Sequence, residues 1–275
     1  MRIYLTGFSG QIGSVFRNIF RENNKKIILL GRNKPNLYQN ETYMKFDLNS
    51  FSFEKKIQYD GNCIIIHCAH DFYIQNGLSQ SPNLIGTKHL INYFSECFSS
   101  RFIYFSTPFD YHLSDNASFY QKEKAEIEKL FDLKKDLILS PSLLVSENSK
   151  VSKIFQFMQR ICFPVPIPSE TNNIAPIDTC DFVLTVSKRF IDKKTVGKFI
   201  VTGSNELSFR SFLQHYYKIK SIGIPILFFR FLIRILKFLK FNFFAERLMG
   251  LLNLPNLKKL KEKYSFIEIE QHLKI

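Results

Sequence analysis

The sequence predicts an α/β protein: a doubly wound parallel sheet with a smaller, mostly helical lobe toward the C-terminus. Three observations carry that prediction. Short apolar runs bounded by turn residues alternate with longer helical stretches over the first two-thirds of the chain. The first run leads straight into a glycine-rich turn, Thr6-Gly7-Phe8-Ser9-Gly10-Gln11-Ile12-Gly13. The last third then turns basic and rich in Phe and Leu.

Taken in order, Arg2 to Thr6 reads as a buried strand and Gln11 to Arg21 as a helix. Lys26 to Leu30 is a second strand, and Cys63 to Cys68 (CIIIHC) a third. Asn83 to Cys97 is helical, Phe102 to Ser106 a strand, and Phe119 to Phe131 a helix with its charges on one side. Leu137 to Ser140 and Phe199 to Thr202 complete the strands, while Pro164, Pro166 and Pro168 are expected to break the chain. Residues 1–139 and a late strand near 199–203 therefore form the sheet domain, and 140–275 supply mainly the lobe. No internal repeat is visible.

Composition narrows the classes. With 275 residues, 45% of them hydrophobic, the chain can bury a sizeable core, and 30 Phe with 12 Tyr exclude disorder. The net charge of +14 is unevenly placed. Residues 1–187 carry 20 basic and 18 acidic side chains, a net +2, whereas residues 188–275 carry 18 and 6, a net +12. Charge confined to one third argues against a nucleic-acid partner and asks for a local cause. The five cysteines are odd in number, with no CxxC and no His at metal spacing. A disulfide scaffold and a metal site are both unexpected, and a reducing compartment fits. The N-terminus shows no apolar run of signal-peptide length, so a cytoplasmic location is expected.

The glycine turn has the context of a Rossmann-type dinucleotide site, because it follows a strand and opens a helix. Gly7 permits the tight turn, Gly10 lets backbone approach a pyrophosphate, and Gly13 lets the helix pack closely on the strand. Gln11 and Ile12 open that helix, whose free N–H groups favour negative charge. Ser9 either hydrogen-bonds phosphate or caps the turn. The second strand runs into Gly31-Arg32-Asn33-Lys34, where NAD-selecting sites carry an acid. Arg32 can grip a 2′-phosphate bidentately, so NADP(H) is favoured over NAD(H). Downstream, Tyr120 and Lys124 stand four apart on one helix face. An ammonium beside a phenol favours the phenolate, so this pair can give or take a proton while a hydride moves.

Together these motifs resemble the extended short-chain dehydrogenase/reductases, specifically the NAD(P)-dependent epimerase/dehydratase group acting on nucleotide sugars. TGFSGQIG is similar to the group's TGxxGxxG, and Asp47-Leu48 to its Asp-hydrophobic pair at the adenine. IIIHCAH, holding Cys68, Ala69 and His70, matches its next strand end, and NLIGTKHLINYF, opening on Asn83, the helix that follows. RFIYFSTPFDYH places Ser106 beside the cofactor and Thr107 as the catalytic hydroxyl, and YQKEK supplies Tyr120 and Lys124. LILSPSLLVSE aligns Pro141 with a cofactor-side proline, and APIDTCDF resembles the His-Val-Asp-Asp element. The departures fall on the substrate side: Ser140 stands for the usual Arg, Val145-Ser146 for Tyr-Gly, and Cys180 splits Asp178 from Asp181.

The resemblance implies an NAD(P)-dependent oxidoreductase working at C4 of a nucleotide-activated sugar in surface-polysaccharide synthesis. The order and composition of KVSKIFQFMQRICFPVPIP and the segments after it resemble the bacterial polysaccharide-biosynthesis members. In a 4-keto reductase, Tyr120 would protonate the alkoxide, Lys124 would tune Tyr120 and bind cofactor ribose, and Thr107 would bind the sugar oxygen. A 4-epimerase with retained cofactor would use the same residues twice. The rival from another class is a non-catalytic NADP-binding scaffold attached to membrane, which would have no need of Thr107, Tyr120 and Lys124. His67 reads as a core or loop histidine, and Tyr111 as a packing or substrate residue. Asp71 and His112 could form other dyads with His70.

Ile224 to Leu251 carries Arg230, Arg234, Lys237 and Lys240 on one side of a dense Phe and Leu pattern. The interruptions exclude a membrane span. Two readings stay open: a lid of the substrate lobe with its Phe face inward, which is favoured, or peripheral contact with an anionic membrane. A homodimer is compatible with either.

Overall fold

The apolar runs become strands of one eight-stranded sheet in the computed structural model, which describes residues 1–50, 61–71, 77–95, 99–108, 117–146, 150–161, 164–191 and 195–270. The elements begin β1 (Arg2–Thr6), α1 (Gln11–Glu22), β2 (Ile27–Gly31), β3 (Glu41–Lys45), β4 (Asn62–His67), α2 (Pro82–Ser95) and β5 (Ser99–Phe105). They continue α3 (Phe119–Glu128), β6 (Leu137–Pro141), β7 (Leu143–Val145), α4 (Lys150–Ile161), β8 (Val165–Pro168), β9 (Pro176–Asp178) and α5 (Thr179–Val186). The remainder are β10 (Gly197–Gly203), α6 (Phe209–Tyr217), β11 (Ser221–Ile224), α7 (Ile226–Phe238), α8 (Asn242–Leu252), α9 (Leu257–Lys261) and β12 (Ser265–Ile269).

The sheet order is β12-β10-β6-β5-β4-β1-β2-β3. The pairs β1–β2, β2–β3, β1–β4, β4–β5 and β5–β6 are parallel. The chain winds outward from β1 to β3, crosses back, and winds the other way from β4 to β6. That is the doubly wound order, and its switch point lies at the carboxyl ends of β1 and β4. Strands covered on both faces read as continuous apolar runs rather than alternating ones, which is why β1, β4 and β6 were visible in the sequence.

The chain divides into two compact units. The first comprises Met1–Ser106, Glu123–Ser140 and Thr179–Phe199. Its core packs Tyr4, Leu30, Ile65, Leu90, Phe94, Phe102 and Tyr104 together. With no Trp in the chain, Phe and Tyr rings fill this space edge to face, as in Tyr4 on Phe94 at 4.8 Å between centroids. Arg17 of α1 grips Glu41 of β3 through two hydrogen bonds of 2.7 and 2.6 Å. Thr179–Phe199 falls within this unit. The Gln11 side chain donates to Thr179 Oγ1 at 2.9 Å, α5 packs on α1, and Arg101 donates to the carbonyls of Phe190 and Thr195.

The second unit comprises Thr107–Lys122, Pro141–Asp178 and Ile200–Ile275. It holds two small parallel ribbons, β7–β9 and β8–β11, and a core of Ile167, Ile174, Phe212, Leu213, Tyr217 and Ile219. Two expectations are corrected here. The prolines at 166 and 168 do not break the chain but belong to β8. Bonds to β11 come from alternate residues, Val165 N to Lys220 O and Ser169 N to Ile224 O at 2.9 Å, so the prolines occupy positions whose missing N–H would face away. The other is the placing of Lys240 on one side with Arg230, Arg234 and Lys237, because α7 and α8 are separate helices. The chain turns at Leu239–Phe241 with Lys240 at φ 60°, in left-handed backbone. Lys240 therefore does not continue the basic stripe of α7.

Candidate functional site

The β1–α1 turn has the close approaches its glycines suggest. Gly7 adopts φ 63°, and a Cβ there would lie 2.6 Å from Ala69 N and Cys68 C. A Cβ on Gly13 would lie 2.2 Å from Gly7 O, so α1 packs directly on the turn. Gly10 donates its N–H to Gly7 O at 2.9 Å and stands as the N-cap of α1 without a side-chain cap. No acidic residue occupies the first turn of that helix. A helix beginning this way offers its N–H groups and dipole to an anion. Phe8 fills the space above Gly31, while Ser9 and Gln11 are exposed, Ile12 is half-buried and Gly13 is buried.

A hydrogen-bond chain fixes the ends of β1 and β4. Ala69 N–H donates to Thr6 Oγ1 at 3.0 Å, and Thr6 Oγ1 lies 2.8 Å from His67 Nδ1. His67 Nε2 lies 3.0 Å from Thr87 Oγ1, which donates to Asn83 O at 2.6 Å. Since the Thr6 and Thr87 oxygens already accept or donate as stated, the network assigns the proton to Nε2 of a neutral imidazole. Burial, with Lys124 nearby as a second cause, holds His67 down to about 3. His67 is thus a structural histidine, as the sequence reading favoured.

Helix α3 carries a buried carboxylate that the sequence reading missed. Glu123 accepts from Ser81 Oγ, from Asn83 Nδ2 at 3.1 Å, and faces His70 Nε2 at 3.3 Å. Burial pushes its pKa up despite these donors. Asn83 also brackets Asp71, accepting from its N–H and donating to its carbonyl, both at 2.7 Å. His70 therefore pairs with Glu123. Tyr111 and His112 lie outside the described residues.

The helix carrying Tyr120 and Lys124 is built with a capping box. Ser118 Oγ accepts from Gln121 N at 3.3 Å, and Gln121 Oε1 accepts from Ser118 N at 2.9 Å. The pattern Ser-x-x-Gln at Ser118 to Gln121 is the sequence signal of this cap. Glu246 Oε2 of α8 accepts from Phe119 N at 2.7 Å, which puts a carboxylate at the positive end of α3. Tyr120 follows, half-buried, one turn before Lys124. Lys124 is buried, donates to Phe105 O at 2.8 Å, and stands 4.6 Å from the Tyr104 ring centroid. Burial brings its ammonium down to about 8, with Glu123 opposing.

The remaining expected residues are dispersed. Ser106 is buried just beyond β5, and its hydroxyl has no hydrogen-bond partner among the described residues. Buried polar groups are normally paired, so an orphaned hydroxyl there suits a polar ligand group. Thr107, half-buried, comes next. Arg32 is exposed past the end of β2, with Tyr43 Oη donating to its carbonyl at 3.1 Å. Asp47 accepts from Asn49 N at 3.0 Å, and Leu48 is a core residue against which Gly86 of α2 packs. Pro141 closes β6. Burial pushes the Cys68 thiol up, and among the described residues Cys63, Cys68 and Cys180 form no disulfide. The uncapped helix end, the glycine cradle and the orphaned Ser106 hydroxyl fit a dinucleotide.

No family model and no curated protein sequence matches the chain. Solved structures do resemble it. A nucleoside-diphosphate-sugar epimerase from Staphylococcus aureus aligns with TM-score 0.65 and 13% identity, over 96% of this chain and 97% of that one. Bordetella bronchiseptica WbmH, solved in complex with NAD+, aligns with TM-score 0.62 and 15% identity, over 82% and 83%. A hypothetical dTDP-4-dehydrorhamnose reductase from Sulfolobus tokodaii aligns with TM-score 0.61 and 15% identity, over 82% and 86%. The chain therefore has the Rossmann-like α/β fold of nucleotide-sugar epimerases and reductases.

Proposed function

We propose that the protein is an NAD(P)-dependent oxidoreductase acting at C4 of a nucleotide-activated sugar, as a 4-keto reductase. The observation that carries this reading is the buried Lys124 one turn after Tyr120 on a helix whose start is held by Ser118, Gln121 and Glu246. A nicotinamide cofactor, when bound, supplies the hydride chemistry. Gly7, Gly10 and Gly13, with the N–H groups of Gln11 and Ile12 and the Ser9 hydroxyl, would hold its pyrophosphate. Asp47 and Leu48 would border the adenine, and Cys68, Ala69, His70, Asn83, Ser106 and Pro141 the rest of the cofactor. Arg32, exposed and without an ion-pair partner among the described residues, supports a 2′-phosphate and hence NADP(H).

In this reading Tyr120 gives its proton to the forming C4 alkoxide, and Thr107 donates a hydrogen bond to the same oxygen. Lys124 remains largely an ammonium at neutral pH, since burial lowers it only to about 8, and so favours the phenolate that Tyr120 becomes. The changes at Ser140, Val145, Ser146 and Cys180 fall at substrate-side positions of the pattern, so they bear on which sugar is taken and not on the redox core. A 4-epimerase would pass through the same keto sugar, and the Staphylococcus aureus neighbour is named as an epimerase. Incubation with UDP- and dTDP-sugars, including 4-keto forms, tests the proposal. One NADPH consumed per product supports the reductase, interconversion without net consumption supports the epimerase, and no turnover of any sugar refutes both.

A further inference from the structure

Helix α7 buries only a narrow stripe of itself. Phe229 and Ile233 are buried, whereas Leu227, Phe228, Phe231 and Phe238 are 74%, 51%, 62% and 86% exposed. At about 100° per residue, these four and Ile235 fall within an arc of about 100°, and Arg230, Arg234 and Lys237 fill roughly the next 60°. The helix thus carries three stripes: one packed on its own unit, one apolar and exposed, one cationic and exposed. Phe241 and Phe244, just beyond the turn, add two more exposed rings. Single exposed apolar residues are ordinary, but a cluster of this density marks a contact surface. The lid reading would place the Phe face inward, and most of that face is exposed on the chain itself.

Charge identifies the partner. Residues 224–251 carry five basic side chains and one acid, Glu246, which is engaged by Phe119 N and lies 4.0 Å from Lys237. Arg230, Arg234 and Lys240 are exposed and have no ion-pair partner among the described residues. A second copy docked by two-fold symmetry would set these cations against their own kind. Nucleic acid would use the cations and leave the Phe face in water. An anionic bilayer satisfies both stripes at once, acyl chains taking the rings and headgroups the guanidinium groups. At 13 residues α7 is far too short to span, and among the described residues no helix is long and apolar enough to cross a membrane. We propose that α7 and the start of α8 form a docking surface for an anionic lipid membrane, with α7 lying in the plane of the headgroups. The proposal uses no residue assigned to the reaction, so either can fail without the other.

The test is flotation of the full-length protein with phosphatidylcholine vesicles, with and without phosphatidylglycerol, at low and high salt. Wild type is expected to float only with the anionic vesicles and to be released by salt. Arg230→Glu with Arg234→Glu should lower partitioning at least about 25-fold, from about fivefold per cation. Phe231→Ser with Phe238→Ser should lower it about tenfold or more while the thermal melt stays within a degree or two. Lys258→Glu with Lys259→Glu, exposed cations on α9, controls for net charge and should leave most binding intact. Failure of wild type to bind anionic vesicles at low salt overturns the proposal. So does equal loss in the α9 control, or full binding by the Phe variant. A wild-type dimer that the Phe variant converts to monomer would assign the face to a second copy instead.

Discussion

Gly13→Ala measures how much of the β1–α1 turn is dictated by backbone contact. Helix propensity by itself favours Ala over Gly by about 0.8–1 kcal/mol. Against that, the added Cβ would lie 2.2 Å from Gly7 O, 2.7 Å from Gly7 C and 2.9 Å from Phe8 Cα, all backbone atoms. Overpacking costs about 1–3 kcal/mol where side chains can adjust, and a left-handed turn held at Gly7 adjusts less. The expected net loss is about 2 kcal/mol, or roughly 4–8 °C in melting temperature. The matched control is Gly250→Ala in α8, where nothing lies within 4 Å of the new Cβ and propensity alone should stabilise by about 0.8–1 kcal/mol. Calorimetry supplies both melts, and titration with NADPH should show binding weakened about tenfold or more for Gly13→Ala only. If Gly13→Ala melts at or above wild type and binds NADPH equally well, the close packing of turn on helix is refuted.

Three further outcomes are expected. Tyr120→Phe should cut turnover on the sugar by about 10²–10⁴ with NADPH affinity nearly unchanged, so full activity would move the acid elsewhere. Arg32→Asp should weaken NADPH about tenfold or more and leave NADH little affected, and equal binding of both by wild type contradicts the 2′-phosphate role. His67 stays neutral in the fold down to about 3 but protonates near 6.5 when unfolded, so it contributes stability above pH 6.5 that is lost as pH falls. Urea denaturation at pH 7 and pH 5 should therefore show wild type losing about 2 kcal/mol more than His67→Gln, and parallel losses would refute the buried neutral imidazole.

Much of the sheet was legible because its strands are local. Arg2–Thr6, Asn62–His67 and Leu137–Pro141 are covered on both faces, so burial writes itself into consecutive residues. The glycine turn and the Tyr120–Lys124 spacing were legible for the same reason, each being a short motif with a fixed geometric demand. β3 escaped notice because ETYMK carries charges at both ends. Its Glu41 is buried only because Arg17, 24 residues earlier, neutralises it. β8 escaped because a proline is a breaker unless its missing N–H faces away from the partner strand, which depends on where β11 comes to lie.

The sequence by itself determined the order of elements and the chemistry available along them, since apolar runs, glycine spacing and helical periodicity act within a few residues. Only the tertiary structure decided which polar groups meet in the dark. Ser81, Asn83, His70 and Glu123 converge from three separate segments, and no spacing announces them. It alone decided that Lys124 is buried and lowered to about 8, because desolvation belongs to the surroundings and not to the residue. The same holds for α7, whose pattern suits either a lid or a membrane surface. Which stripe faces water follows from what packs against Phe229 and Ile233, and that is a property of the folded chain.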